Sequence, residues 1–336
     1  MALNYDNVTA IVRDKYIPTL KDQVHKGSAA LALLGLDDRI KDPGPRLETM
    51  AVGGGTKVIQ PLEYGESNAQ YYSYYDTIDT TPPEFITAAE YVMRNIAVPI
   101  SISQDEELKV DGDDLKVLDL LNAKMENAKK GMLKQLATDF YTGSGANGLI
   151  GLDTAISTGT YGGIAGASYS WWQSGVDTTA HTAANMKDST STSYLPTILA
   201  TGYAACTQLG NPAPTHVLMT QEVWDIAELI AADDKRFNQP VAGSKGAALA
   251  DMGFSVLMWR SIPLIVDRYI STSSYPMYMG NFAEGFTMYY HPKNNFKMSE
   301  WVKPANQQAR VAMLTYTCQT AVSNRRMFYR WSDLKN

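Results

Sequence analysis

Cysteine is nearly absent: Cys206 and Cys318 are the two in 336 residues, far apart and with no companion at metal-ligand spacing. That excludes a disulfide framework and a thiolate zinc site, and makes a reducing compartment the default expectation. Histidine is scarce as well. His25, His181, His216 and His291 are scattered, none in an H-E-x-x-H or comparable pair, so neither a metal site nor an acid–base centre follows from them. No apolar run reaches the roughly 18 residues that a membrane span requires, because charge, Gly or Pro interrupts each one. The opening MALNYDNVTA has acidic and amide residues where a secretory signal carries positive charge and then an apolar stretch, so no export is implied. No G-x-S-x-G elbow occurs. An excess of base is missing too: the net charge of -6 argues against a surface that grips nucleic acid all round.

What is present is a folding composition, with 45% hydrophobic and 19% charged residues. The length suits two packed lobes, or one domain with long excursions. From residue 5 to 26, Val8, Ile11, Val12, Tyr16, Leu20 and Val24 recur at helical spacing, which predicts an amphipathic arm interrupted at Pro18. Gly53, Gly54 and Gly55 then open an extended region from Thr56 to about Ser103, read as a long hairpin. Its middle holds Tyr71, Tyr72, Tyr74 and Tyr75, then Pro82 and Pro83. A polar, tyrosine-rich hairpin of that length cannot bury both faces against one compact body, so a partner surface is expected. From Asp111 to Tyr141 no proline occurs, and Leu118, Leu121, Met125, Ala128, Met132, Leu136 and Phe140 make one apolar stripe; a long helix is predicted.

Residues 143 to 193 are rich in Gly, Ser and Thr, but Tyr169, Trp171 and Trp172 are too large and apolar for a free tether, so the segment is expected to be irregular and packed. An α/β pattern follows: a helix near Leu195 to Leu209, a strand at His216 to Met219, a helix from Gln221, then strands at Val256 to Trp259 and Ile262 to Asp267. Strands dominate from Tyr278 to the end. Gly143, Gly145 and Gly148 match G-x-G-x-x-G, but they follow a helix instead of a strand, which points to a helix exit and not a dinucleotide site. Gly243, Ser244, Lys245 and Gly246 lack full phosphate-loop spacing and read as a mobile loop. Carboxylates paired only by folding leave no signature, so a soluble carboxylate-dependent hydrolase stays open as a different class.

Charge is segregated along the chain. Residues 57 to 114 hold twelve acids against three bases, while Lys293 to the end holds eight bases against two acids. Two readings stay open: two solvated faces, or an acidic hairpin of one copy, with Glu63, Glu66, Asp76, Asp79, Glu84 and the four tyrosines, lying over a basic platform with Lys303, Arg325, Arg326 and Arg330 on the next. Head-to-tail contacts of that kind close into rings.

The order of parts resembles the major capsid proteins of tailed bacteriophages, an α+β fold of the Hong Kong 97 type that encapsulin shells also use. More specific are Gly148-Leu149-Ile150-Gly151-Leu152, Gly159-Thr160-Tyr161-Gly162-Gly163-Ile164, Tyr169-Ser170-Trp171-Trp172 and the ending around Asn324-Arg325-Arg326. The resemblance implies an N-terminal arm over 1–50, an extended β-hairpin loop over 51–103, a peripheral domain over 104–193 and 268–336 with a long spine helix, and an inserted axial α/β domain over 194–267. It implies hexamers and pentamers closing into an icosahedral shell around double-stranded DNA, held by weak, unspecific contact. It also implies assembly in the host cytoplasm, a portal, a cement protein in some members, and no catalysis, cofactor or metal. A chain that begins almost at the arm points to a separate scaffolding protein. Lys57, the only lysine from 51 to 103, sits at the hairpin root, so a non-covalent shell is expected. An encapsulin-like compartment is the alternative within the architecture.

Overall fold

The computed structural model describes residues 27–36, 47–106, 114–233 and 257–334. The arm helix expected over 5–26, the Gly243–Gly246 loop and the start of the strand expected from Val256 lie outside them. In chain order the first half holds α1 (Ala29–Leu33), β1 (Glu48–Ala51), β2 (Lys57–Glu63), β3 (Ile86–Val92), β4 (Arg94–Ser103), α2 (Asp114–Thr142) and α3 (Leu152–Ala155). Then come β5 (Gly175–Asp177), α4 (Ala183–Lys187), α5 (Leu195–Cys206), β6 (His216–Met219) and α6 (Gln221–Asp233). The rest is strand: β7 (Leu257–Trp259), β8 (Ile262–Val266), β9 (Met277–Gly280), β10 (Phe286–Tyr290), β11 (Lys297–Met298), β12 (Ala309–Val322) and β13 (Phe328–Trp331).

The proline-free run forms a helix of 29 residues, about 43 Å long at 1.5 Å per residue. Its apolar stripe packs inward at Ala128, Met132, Leu136 and Phe140. The helix lies on a five-stranded sheet in which β12 is central: ten residues pair antiparallel with β4 on one edge, and β10 and β11 pair on the other. α1 closes the same core with Ala29 to Leu34 all buried, so this part of the expected arm packs on its own chain and does not reach for a neighbour. The predicted glycine exit is observed: a Cβ at Gly143 would stand 2.3 Å from the Leu149 carbonyl oxygen, and Gly145 has φ +75. Only glycine lets the chain double back this tightly after α2.

A second core lies between α5, α6 and a six-stranded sheet of order β5-β13-β9-β6-β8-β7. Three of its strands, β5, β9 and β13, lie outside 194–267, so the sheet does not stop at the edges expected for the inserted domain. Long-range pairing is what joins them: β6 runs antiparallel to β9, which runs antiparallel to β13. Trp331 of β13 fills this core at 0% exposure against Gly202 of α5, where any Cβ would stand 2.2 Å from its ring.

Candidate interaction surface

The hairpin is β2 against β3, in antiparallel register from Lys57 with Val92 to Glu63 with Ile86. The expected second strand is broken at Met93. Beyond the break it continues as β4 inside the body sheet, so residues 94–103 root the limb and are not part of it. Period-two alternation gives the hairpin two faces. Val58, Leu62, Ala89 and Tyr91 turn toward the body. Ile59, Pro61, Ile86, Ala88 and Val92 turn outward, with Ile59 62% and Ile86 61% exposed, and one ion pair, Lys57 to Glu90 at 2.6 Å, crosses that face. A two-stranded ribbon is marginal in water on its own, so this apolar face calls for cover.

Past the Tyr64 N–H, which donates to Phe85 O at 2.9 Å, the two chains leave the ladder. Tyr71, Tyr72, Tyr74 and Tyr75 are all exposed, three of them at about the level of an isolated residue. Glu63, Glu66, Asp76, Asp79 and Glu84 are exposed with them. The Asp76 carboxylate accepts from the Ser73 N–H at 2.8 Å, and the Thr81 N–H donates to Asp79 at 3.0 Å, holding that carboxyl below its ordinary value. The tip has local turns and no seat on its own body.

Along its ladder, from Tyr91 near the root to Tyr64 at the far end, the hairpin is clasped. Tyr91 donates to Val322 O at 3.0 Å, Tyr161 accepts from the Val322 N–H at 2.9 Å, and the two rings lie 5.5 Å apart. The Glu90 N–H donates to Gly162 O at 2.9 Å, and Tyr64 stacks on Trp171 at 5.1 Å and 12°. Of the aromatic group expected to be packed, Trp171 stacks on the hairpin and Trp172 is buried beside Tyr161, while Tyr169 is 50% exposed. Neither Tyr64 nor Tyr91 stood out in the sequence as its partner.

Arg325, expected at a contact between copies, is the centre of that clasp and is 1% exposed. Its Nε donates to Ala155 O at 2.9 Å, Nη1 to Gly159 O and Trp172 O at 3.1 and 2.6 Å, and Nη2 to the carbonyl and hydroxyl of Ser157. The guanidinium lies 5.0 Å from the Tyr161 ring centroid. With no carboxylate among these partners, burial lowers its pKa to about 10. A side chain so enclosed has no surface for a neighbour. The reason lies in the 155–172 loop, whose carbonyls point inward with no strand partner and need a multidentate donor.

Arg330 is also turned inward, pairing with Asp153 at 2.9 Å while Tyr278 donates to the same carboxylate at 2.7 Å. Of the four bases expected to form the platform, Lys303 is exposed and Arg326 is half-buried in a cleft. Within one chain no ion pair joins any of the four to the hairpin acids, among the described residues.

Asp267 lies at 2% exposure beneath α1 and accepts from Ser28 Oγ at 2.6 Å, the Ala30 N–H at 2.9 Å and the Tyr269 N–H at 3.0 Å. Burial pushes its carboxyl above the ordinary value despite these donors. His181 is 4% exposed, with ring nitrogens 2.9 Å from Ser193 Oγ and 3.2 Å from Asp177, and it ties together the two ends of the 177–193 segment. Burial raises the Asp177 carboxyl, but hydrogen bonds from Thr179 and His181 outweigh it and hold that group low. Both cysteines are buried and free, the Cys206 thiol pushed up to about 12 by desolvation. Among the described residues no three His, Cys, Asp or Glu side chains are placed to hold a metal ion, and no helix is long and apolar enough to cross a membrane.

No family model and no curated protein matches the sequence. Solved structures do match in fold. The capsid of a native GTA particle aligns over 99% of this chain and 100% of its own, with a TM-score of 0.63 at 13% identity. The capsid of cyanophage A-1(L) aligns over 96% and 97%, with a TM-score of 0.63 at 16% identity. An encapsulin complex from Synechococcus elongatus PCC 7942 aligns over 86% and 85%, with a TM-score of 0.50 at 12% identity. Correspondence over whole chains at such low identity is a likeness of fold, and this chain has an α+β fold that resembles the Hong Kong 97-type capsid architecture.

Proposed function

We propose that this chain is a major capsid protein, many copies of which assemble as hexamers and pentamers into an icosahedral shell enclosing phage double-stranded DNA. The observation that carries the reading is a limb its own body leaves uncovered, in a chain whose fold is shared end to end with capsid proteins. Folding one such chain exposes an apolar hairpin face and four tyrosines, and repeated copies bury them mutually. In this reading α2 is the spine helix, residues 57–92 are the extended loop, and the lobe around α5, α6 and β6–β8 is the axial domain. DNA contact is weak and unspecific, as suits an acidic chain. A separate scaffolding protein and a portal complete assembly in the host cytoplasm.

Size-exclusion chromatography with light scattering tests this: rings or megadalton particles support a shell protein, and a stable monomer refutes it. The encapsulin likeness favours one second reading, a compartment that encloses protein. It rests on the lower TM-score of 0.50 and shorter coverage. Nucleic acid inside purified particles supports the phage shell, and protein cargo supports the compartment.

A further inference from the structure

Arg326 differs from its neighbour Arg325 in a way that bears on assembly. Its backbone N–H is held by Asn324 Oδ1 at 3.1 Å, but its guanidinium makes no hydrogen bond or ion pair with any described residue. It projects into a cleft of about 670 Å³ formed by the turn at Ser170, the start of β5 at Gly175 and the end of α5 at Ala205 to Leu209. Among the described residues no carboxylate lines this cleft. Ser174, only 5% exposed, lines it with a buried hydroxyl that has no hydrogen-bond partner. The cleft runs past Arg326 into a second of about 580 Å³ along β2, where the Nδ2 of Asn211 is likewise buried and unpaired, and where Glu63 and Glu66 lie. At the shared lip Leu209 is 79% exposed with φ +61, an apolar side chain held outward in the left-handed region. In the carboxylate-free part of the cleft, the guanidinium without a described partner, the orphan Ser174 hydroxyl and the apolar lip make a receptor for a carboxylate next to a hydrophobic residue.

We propose that this cleft seats the hairpin tip of the next copy, residues 76–84, with the carboxylate of Asp76, Asp79 or Glu84 on Arg326 and Ile78 against Leu209. This rests on the capsid reading above and says which surface of the neighbour receives the limb. The tip has the matching chemistry: Ile78 is 50% exposed between two acids, and no base occurs between Lys57 and Arg94. The chain's own tip does not fill the cleft, because residues 76–84 are exposed throughout. A tip-to-root contact joins unlike surfaces, the kind that closes into rings.

Cysteine pairing tests the seat in the full-length chain. Arg326→Cys combined in turn with Asp76→Cys, Asp79→Cys or Glu84→Cys is assembled, oxidised with diamide and run on a denaturing gel without reductant. Cys206 and Cys318 are buried and do not compete. The expected result is a ladder of covalently linked chains for at least one pair and none for the single variants. Particles of normal appearance with no ladder from any pair overturn the proposal. Charge reversal covers a failure of those variants to assemble. Arg326→Glu should keep the wild-type melting temperature and lower particle yield at least tenfold, and adding Asp79→Lys, or its counterpart at Asp76 or Glu84, should restore it. Wild-type yield from Arg326→Glu, or no rescue by any partner, overturns the seat. Failure of the capsid reading is distinct, since the wild-type chain then forms no particle.

Discussion

Replacing Arg325 by Met separates an internal brace from a contact between copies. The side chain makes five hydrogen bonds, four of them to main-chain carbonyls of Ala155, Ser157, Gly159 and Trp172. Bonds to a charged donor contribute about 1.5–3 kcal/mol each, but desolvating an unpaired guanidinium offsets several kcal/mol of that sum. Met fills similar volume and leaves the carbonyls without a donor, so the net loss is about 3–5 kcal/mol, the usual cost of removing one side of a buried charged network. Unfolding entropy of about 2.1 cal/mol/K per residue is roughly 0.7 kcal/mol/K for 336 residues. The expected fall in melting temperature is therefore about 4–7 °C, read by circular dichroism on the unassembled chain. Arg325→Lys, which keeps the charge but loses the planar fork, should fall between the two. An unchanged melting temperature together with lost assembly would refute the internal role and return Arg325 to the surface between copies.

Asp267→Ala should free residues 27–36, since the carboxylate holds Ser28 and Ala30. Limited proteolysis should then cut near Gly27 at least tenfold faster, and equal rates would contradict the anchoring. Asp267→Asn gives a pH signature: the native carboxyl binds its proton more tightly than the unfolded one at 3.8, so the wild type should lose stability relative to the variant as pH rises from there. Urea midpoints between pH 4 and 7 measure this, and a parallel pair of curves would contradict it. A double-mutant cycle on Tyr64→Ala and Trp171→Ala should give a coupling of about 0.5–1.5 kcal/mol, as for other stacked rings. Zero coupling would mean that the far end of the hairpin ladder is not clasped there. Cys206 and Cys318 should react with a thiol reagent only as fast as the chain unfolds, because both are buried and their thiols are held protonated.

Elements specified by local pattern were legible. The α2 run has no proline and a sustained apolar stripe, and β6 and α6 carry periodicities that local sequence alone can set. The hairpin was legible as a limb because its composition could not close a core. What was hidden depends on long-range pairing. Nothing at Met93 signals that the strand changes partner, from β2 before it to β12 after it. That β5, β9 and β13 complete the sheet of the α/β lobe is decided by contacts between distant parts of the chain. Arg325 misled for a related reason: it and Arg326 are adjacent and alike in sequence, yet Arg325 is enclosed by carbonyls of a loop some 160 residues away while Arg326 opens on a cleft. α1 was passed over because five Ala and Leu residues show no period at that length.

The central claim is that the chain completes its burial only among copies of itself. Electron microscopy of the purified chain, alone and with a co-expressed scaffolding protein, tests it most directly. The account predicts capsomer rings or closed shells in which hairpin residues 57–92 of one copy lie against the next. Monodisperse single chains under both conditions, with the hairpin free in solvent, would contradict it.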